Sequence, residues 1–273
     1  MLRMRFYLTR SQLNSGVRQA YVPLQNMATA PRALPPQAVE ALDRIGFVVL
    51  PGPLSTVRIP ALQAAYDAVA QTAAPEDVRR GRSSTRITDF VTRDAIFDEV
   101  YTWPPALDAA RHLVGGAFRL SAFHARTLHP DAPAQELHVD IPPTSDAWPM
   151  LGLILMVDAF RDDNGATRFI PGSHHRAHTP AATVADPFAS QPNELLASGP
   201  AGSVILFNAS VWHGHTANST TLPRRSLQAT FIPLTGRPAT DFRARMRPEV
   251  LARLTDSARE ILGLTAPISA PPV

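Results

Sequence analysis

The sequence predicts a mainly β domain with flanking helices and a jelly-roll core. Apolar residues at helical spacing dominate residues 35–116, whereas short apolar runs separated by turn residues fill residues 117–235. A chain of 273 residues is long enough to bury a sizeable core in one unit. We therefore expect a single domain over residues 35–265, with a helical front, a β-core and a closing helix at 247–262.

Three helices and one strand are predicted in the front. The first helix begins near residue 36, after a proline. The second covers 60–73, and the third covers 105–114 and is followed by a pair of glycines. Proline is favoured at the start of a helix and glycine just beyond its end. The unbroken apolar run 47–50 is typical of a strand.

The predicted strands of the core are short and separated by turn-forming sequences such as Asp-Asn-Gly and Pro-Gly-Ser. They lie at 118–128, 151–157, 168–170, 203–207 and 226–232. This pattern favours a many-stranded sandwich or barrel, of which the jelly-roll is the leading candidate.

Residues 1–34 are expected to be a disordered leader or a start extension. Five arginines and no acidic residue occur there, a composition that superficially matches a transit peptide. Met27 begins a second possible start just before the first helix. We expect a chain starting at Met27 to keep full activity.

The composition excludes several classes of chemistry. The chain has no cysteine, which excludes disulfides, thiolate metal sites and cysteine nucleophiles, so that nitrogen and oxygen must hold any metal. All 26 basic residues are arginine, and the absence of lysine excludes Schiff-base catalysis.

The charge does not indicate a nucleic-acid partner. The net charge is only +3, and the high pI of about 9.9 follows from the absence of lysine, because arginine deprotonates only at very high pH. The arginines are spread along the chain without a basic stripe.

Every apolar run is shorter than the ~20 residues of a membrane-spanning helix. We expect a soluble, cytoplasmic protein with a small-molecule substrate, and leave its oligomeric state open.

His138 and Asp140 form the first candidate metal-binding pair. On an extended chain, side chains two positions apart point the same way, so the pair can hold one ion. The chain has 9 histidines, so one such pair by chance is unsurprising. A third ligand, His213, follows a β-run, although a lone histidine beside Trp212 is also typical of a packed core.

Two imidazoles and one carboxylate on one face of an ion leave open positions opposite, an arrangement associated with non-haem iron(II) and dioxygen. Arg224 and Arg225 follow His213 at the start of a predicted strand. An arginine there can bind the far carboxylate of a diacid through two parallel hydrogen bonds. A solvated strand end is the alternative interpretation.

The order of these motifs resembles the phytanoyl-CoA hydroxylase (phytanoyl-CoA dioxygenase) family over about residues 37–235. The resemblance rests on His138-x-Asp140, the Asp-Asn-Gly and Pro-Gly-Ser-His turns, Trp212-His213-Gly214 and the arginine pair. It implies a double-stranded β-helix, a jelly-roll and cupin-like core, that uses iron(II), 2-oxoglutarate and dioxygen.

The resemblance also implies residue roles. His138, Asp140 and His213 are the expected catalytic metal ligands, and Arg224 is the expected 2-oxoglutarate anchor. Thr127 is a candidate second contact to 2-oxoglutarate. His215 stands where the family often has a small polar residue, so that its role is open.

The implied reaction is hydroxylation of an unactivated C–H bond of a small molecule, with release of succinate and carbon dioxide. Desaturation, epoxidation and ring formation remain open, whereas the carboxylate of Asp140 argues against halogenation. A cupin-like non-redox isomerase or hydrolase and a catalytically silent metal-binding module are the alternatives from other classes. The residues that are candidates for lining the pocket are Arg86, Phe123, Arg126 and Arg168. The three arginines among them suggest an anionic group on the substrate.

Overall fold

The computed structural model describes residues 30–142 and 149–265. The expectation of a disordered leader falls almost entirely on residues 1–29, which lie outside the described residues. Within the described part, no helix is long and apolar enough to span a membrane.

The strands form two antiparallel sheets. They are β1 (Phe47–Pro51), β2 (Val78–Arg80), β3 (Ser84–Ile87), β4 (Phe118–Leu128), β5 (Leu151–Met156), β6 (Thr167–Phe169), β7 (Leu195–Ala197), β8 (Ser203–Asn208), β9 (His213–His215) and β10 (Arg224–Pro233). The large sheet has the order β1-β8-β5-β10-β4-β3-β2, and the small sheet has the order β7-β6-β9. In the large sheet most neighbouring strands are distant in sequence, as β1 is from β8 and β4 is from β10, which is typical of a jelly-roll core.

The two sheets pack through aromatic side chains. The ring of Phe169 on β6 stacks on Phe47 of β1 at 4.2 Å between centroids, and it contacts Phe207 of β8 at 5.6 Å. Burial of these rings removes a large apolar area from water and supplies specific edge and stacking contacts. The sequence prediction of a mainly β protein with a jelly-roll core is confirmed.

Helices cover the other face of the large sheet. They are α1 (Pro36–Arg44), α2 (Ile59–Thr72), α3 (Asp98–Tyr101), α4 (Pro104–Val114), α5 (Phe242–Arg245), α6 (Pro248–Arg253) and α7 (Asp256–Ile261). Tyr66 of α2 and Tyr101 of α3 are almost fully buried there with Phe90 and Phe123. We call this helix-covered side the outer face, and the side toward the small sheet the inner face.

Two expectations need correction. The helix predicted at 247–262 is two helices, because Leu254 adopts an extended backbone and the Thr255 hydroxyl accepts a hydrogen bond from the Ala258 amide to cap the second. The predicted helical front also contains strands β2 and β3, which lack apolar alternation. Main-chain pairing of β3 with β4 holds this arginine-rich hairpin in the sheet.

Candidate metal centre and its pocket

His138 is held beside His213 by main-chain hydrogen bonds. Each residue donates its amide hydrogen to the carbonyl of the other, at 2.9 and 3.0 Å between nitrogen and oxygen. His213 itself begins β9, which pairs with β6 in the small sheet. This bridge brings together two histidines that are far apart in sequence.

The side chains of His138, Asp140 and His213 converge. Their candidate ligand atoms all lie within 4.8 Å of one another. The Asp140 carboxylate lies 3.8 Å from His138 Nε2 and 3.6 Å from His213 Nε2. His213 is buried, whereas the other two side chains are about one third exposed, so the cluster opens toward the pocket.

Backbone contacts fix which imidazole nitrogen faces the cluster. His138 Nδ1 lies 3.0 Å from the Glu136 carbonyl, and His213 Nδ1 lies 2.9 Å from the Val211 carbonyl. A carbonyl only accepts, so both Nδ1 atoms carry hydrogen and both Nε2 atoms present a lone pair. Burial lowers the pKa of His213 to about 4, which keeps this ring neutral at pH 7.

Gly214 allows the two ligand segments to approach. A Cβ atom there would lie 2.9 Å from the Glu136 carbonyl oxygen and 3.0 Å from that of Gln135. These are backbone atoms and cannot turn aside as a side chain can. Glycine between His213 and His215 is therefore required by the close approach of β9 to residues 135–138.

Arg224 lies in the same pocket and is 3% exposed. Its guanidinium lies 4.0 Å from the centre of the Phe160 ring, and its Nε has no hydrogen-bond partner among the described residues. Burial, followed by the positive charge of Arg126, lowers the pKa of Arg224 to about 9, so it remains charged at pH 7. A buried cation with an unused donor fits an anionic ligand.

Arg225 points to the outer face, as expected for a neighbour on a strand. Its guanidinium binds Asp158 at 2.7 and 3.0 Å and Asp67 at 2.7 Å. The hydrogen bond to Asp158 is the main cause that raises the pKa of Arg225. The two carboxylates bind this guanidinium. Of the Arg224-Arg225 pair, only Arg224 is therefore available to bind a ligand in the pocket.

Thr127 also faces outward. Its hydroxyl forms a 2.8 Å hydrogen bond with the Tyr66 hydroxyl, and it does not line the pocket. The structure therefore does not bring Thr127, the candidate second contact to 2-oxoglutarate, to the His138-Asp140-His213 cluster. Alternation along β4 places Thr127 on the face opposite to His124 and Arg126, but only the pairing of the strands decides which face lines the pocket.

His215 lines the pocket two residues beyond His213. Its Nδ1 donates to the Thr216 carbonyl at 2.8 Å, so its buried Nε2 is an acceptor, and it has no partner among the described residues. Burial, followed by the charge of Arg126, lowers the pKa of His215 to about 3. In this tautomer His215 suits a hydrogen-bond donor and not a carboxylate.

The pocket has a volume of about 290 Å³ and two chemically different walls. The polar wall contains Arg86, His124, Arg126, Gln135, Thr167 and Gln228, and the apolar wall contains Met150, Leu153, Ile154, Phe207 and Ala229. Sequence reasoning singled out Arg86 and Arg126 but missed His124, Gln135, Thr167 and Gln228. The alternation of β4 and β10 is the signal that identifies His124 and Gln228.

Two other candidate pocket residues have structural roles. Arg168 donates from its guanidinium to the carbonyls of Gln135, Pro187 and Ala189 at 2.7, 2.7 and 2.8 Å, so it fixes the segment before His138. Phe123 is buried on the outer face, edge-on to Tyr101.

The remaining residues of the motifs organise turns. His174 and His175 each donate from Nε2 to the Asp43 carbonyl, at 3.1 and 2.8 Å, which ties the Pro-Gly-Ser-His turn to α1. Asn218 donates to the carbonyls of His129 and Leu222, both at 2.9 Å. These hydrogen bonds to the backbone fix the loop that follows His213.

Comparison with known families gives one match that covers most of the chain. The description of that family is "Phytanoyl-CoA dioxygenase (PhyH)", and it matches residues 42–226. A related protein, dioxygenase trt7 of Aspergillus terreus, is 28% identical over an alignment of 263 residues that covers 85% of this chain and 85% of that protein.

Solved structures share the fold. The 2-oxoglutarate-dependent epimerase SnoN from nogalamycin biosynthesis aligns with a TM-score of 0.61 at 22% identity, over 74% of this chain and 85% of SnoN. HygX from Streptomyces hygroscopicus, solved with nickel, 2-oxoglutarate and hygromycin B, aligns with a TM-score of 0.61 at 14% identity, over 75% of this chain and 90% of HygX.

Proposed function

This chain belongs to the phytanoyl-CoA dioxygenase family and is an iron(II)- and 2-oxoglutarate-dependent oxygenase, and we propose that it hydroxylates an unactivated C–H bond of a small molecule. The observation that carries the proposal is that a His-Asp-His cluster shares one pocket with a buried arginine whose guanidinium forms no ion pair among the described residues and whose Nε has no hydrogen-bond partner there.

The cluster fits iron(II) as a ligand set. His138 and His213 offer neutral Nε2 atoms because backbone carbonyls hold their Nδ1 hydrogens, and Asp140 offers an oxygen between them. Such hydrogen bonds orient metal-binding histidines and raise their basicity. Two nitrogens and one carboxylate favour iron(II) over metals that prefer all-oxygen or thiolate ligands.

Arg224 fits the far carboxylate of 2-oxoglutarate. It is charged, buried and packed against the Phe160 ring. An arginine fork binds a carboxylate through two parallel hydrogen bonds, so it orients the diacid as well as holding it.

Bound iron(II) and 2-oxoglutarate supply dioxygen activation coupled to oxidative decarboxylation, with succinate and carbon dioxide as products. The chain's own residues position the substrate and limit the access of water. Met150, Ile154 and Phe207 form an apolar wall beside the cluster that places a hydrocarbon segment near the metal ligands. The likeness to HygX, whose structure holds hygromycin B, supports a small-molecule substrate. A cytoplasmic location remains a prediction.

The test is reconstitution of the purified chain under nitrogen with iron(II) and then with 2-oxoglutarate. We expect a visible charge-transfer band that needs both additions, followed by succinate formation on admission of air. A band that forms without succinate, across a broad panel of small molecules, would identify a silent binding module. Tight binding of another divalent metal without any response to 2-oxoglutarate would favour the non-redox alternative.

A further inference from the structure

Three arginines lie side by side across β2, β3 and β4. Arg79 pairs in register with Arg86, and Arg86 pairs in register with Arg126. Side chains of directly opposed residues in an antiparallel pair lie on the same face, with Cβ atoms roughly 4.5–5.5 Å apart. The row therefore runs from the sheet edge into the pocket, which Arg86 and Arg126 line.

This arrangement is unfavourable for the protein alone. Like charges directly opposite each other destabilise a sheet. Within residues 30–142 and 149–265, neither Arg79 nor Arg86 forms an ion pair, and the two hydrogen bonds of Arg126, to Ser84 and Gln135, are both long at 3.4 Å. Burial, followed by the charge of Arg86, lowers the pKa of Arg126 to about 10.

Charges elsewhere in the pocket do not neutralise the row. Among the described residues that line the pocket, Asp140 is the only acidic one, and it belongs to the candidate metal cluster. The two positive charges of iron(II) are offset by the two negative charges of 2-oxoglutarate, and Asp140 offsets one of the three lining arginines. Two guanidinium charges then remain unbalanced at the polar wall.

Position distinguishes these arginines from Arg224. In β10, Arg224 pairs with Leu128, whereas Ser226 pairs with Arg126, so Arg126 lies one inward-facing position further along the sheet. Arg86 is exposed, on the strand beyond. Gln228, the next inward-facing residue of β10 after Ser226, pairs with His124 on one side and with Ile154 on the other. It therefore joins the polar wall to the apolar wall.

We propose that Arg86 and Arg126 form a second anion site, which binds a carboxylate of the substrate at the mouth of the pocket while its hydrocarbon part lies along the apolar wall. The inference rests on the proposed function and names a substrate class for it: amphipathic organic acids. A carboxylate between the two guanidinium groups would accept hydrogen bonds from both and remove their mutual repulsion.

The test uses the full chain loaded with iron(II) and saturating 2-oxoglutarate under nitrogen, with calorimetric titration of matched probes. The probes are octanoate with octanamide, and cinnamate with cinnamamide. We expect at least one acid to bind about tenfold more tightly than its amide, and Arg86→Gln to remove that preference. Arg86→Lys should retain part of it, since it keeps the charge without the fork.

Arg80→Gln is the matched control. Arg80 lies on the same hairpin, next to Arg79, and alternation places it on the opposite face. The Arg80→Gln variant removes the same charge as Arg86→Gln, and it should keep the preference for acids. The charge-transfer band measured in every sample reports whether 2-oxoglutarate stays bound.

Each other result overturns the inference. Equal affinity for acid and amide in both pairs, or no binding of either acid, would mean that the row does not hold a substrate carboxylate. If Arg126→Gln no longer binds 2-oxoglutarate but still prefers the acid to the amide, Arg126 binds the cosubstrate and not the substrate. Failure of the proposed function would instead appear in the wild-type chain, as absence of the band before any probe is added.

Discussion

The inner and outer faces of the large sheet treat similar side chains in opposite ways. On the outer face, Arg225 binds two aspartates and Thr127 binds Tyr66, so each polar group has a protein partner. On the inner face, the buried Arg224 and the half-buried Arg126 have no carboxylate partner among the described residues. Because burying a charge without a partner is costly, the inner arginines indicate where ligands bind, and the outer ones stabilise the fold.

The largest expected effect is loss of the metal cluster on the inner face. His213→Ala and Asp140→Ala should each reduce succinate formation by more than about 100-fold, because changes to residues that only hydrogen-bond to metal ligands already cost up to about 100-fold. Measurement of bound iron and of succinate checks this. His178→Ala, at an exposed histidine outside the pocket, is the control and should retain activity.

Arg224→Gln tests the inner face directly. We expect the KM for 2-oxoglutarate to rise about 30- to 100-fold, because a charge-assisted fork is lost, while iron affinity stays within about twofold. Titration of iron and of 2-oxoglutarate separates the two. Equal weakening of both would mean that Arg224 only supports the structure.

Arg225→Gln is the outer-face counterpart of that change. It breaks the contacts to Asp158 and Asp67, so we expect the free energy of unfolding to fall by about 1–3 kcal/mol. Binding of 2-oxoglutarate should stay close to that of the wild type. Chemical denaturation with a parallel 2-oxoglutarate titration checks both, and a large rise in KM would break the contrast between the faces.

Thr127→Val and Tyr66→Phe remove the two partners of one outer-face hydrogen bond. Each should cost about 0.5–1.5 kcal/mol of stability, and the double variant should cost less than the sum. The KM for 2-oxoglutarate should not change. A rise in KM for Thr127→Val would restore this residue to the cosubstrate site.

The smallest effect is expected for the stability of Arg86→Gln without ligands. Removing one of the opposed arginines relieves a repulsion of roughly 0.2–1 kcal/mol, so Tm should rise by up to about 3 °C. Thermal unfolding of the ligand-free chain measures this. A lower Tm would mean that Arg86 has a stabilising contact and would weaken the contrast.

Much of the fold was predictable because local patterns and tertiary packing agree. The strand at β4 and the start of β8 follow directly from apolar runs bounded by turns. β2 and β3 were not predictable in this way, since Val78-Arg-Arg and Ser84-Thr-Arg-Ile carry little apolar signal and depend on pairing with β4. The break in the closing helix at Leu254 comes from the Thr255 cap, which the apolar spacing of that segment does not reveal.

The sequence by itself determined the chemistry available: no thiolate, no lysine, a His-x-Asp pair, a later histidine, and an arginine pair at a strand start. Those residue types and their order are sufficient to indicate the family. Only the tertiary structure decided that Arg224 faces the cluster and Thr127 does not, and that Arg79, Arg86 and Arg126 form one row. The physical reason is that alternation along a strand fixes which side chains share a face, whereas pairing between strands distant in sequence decides which face lines the pocket.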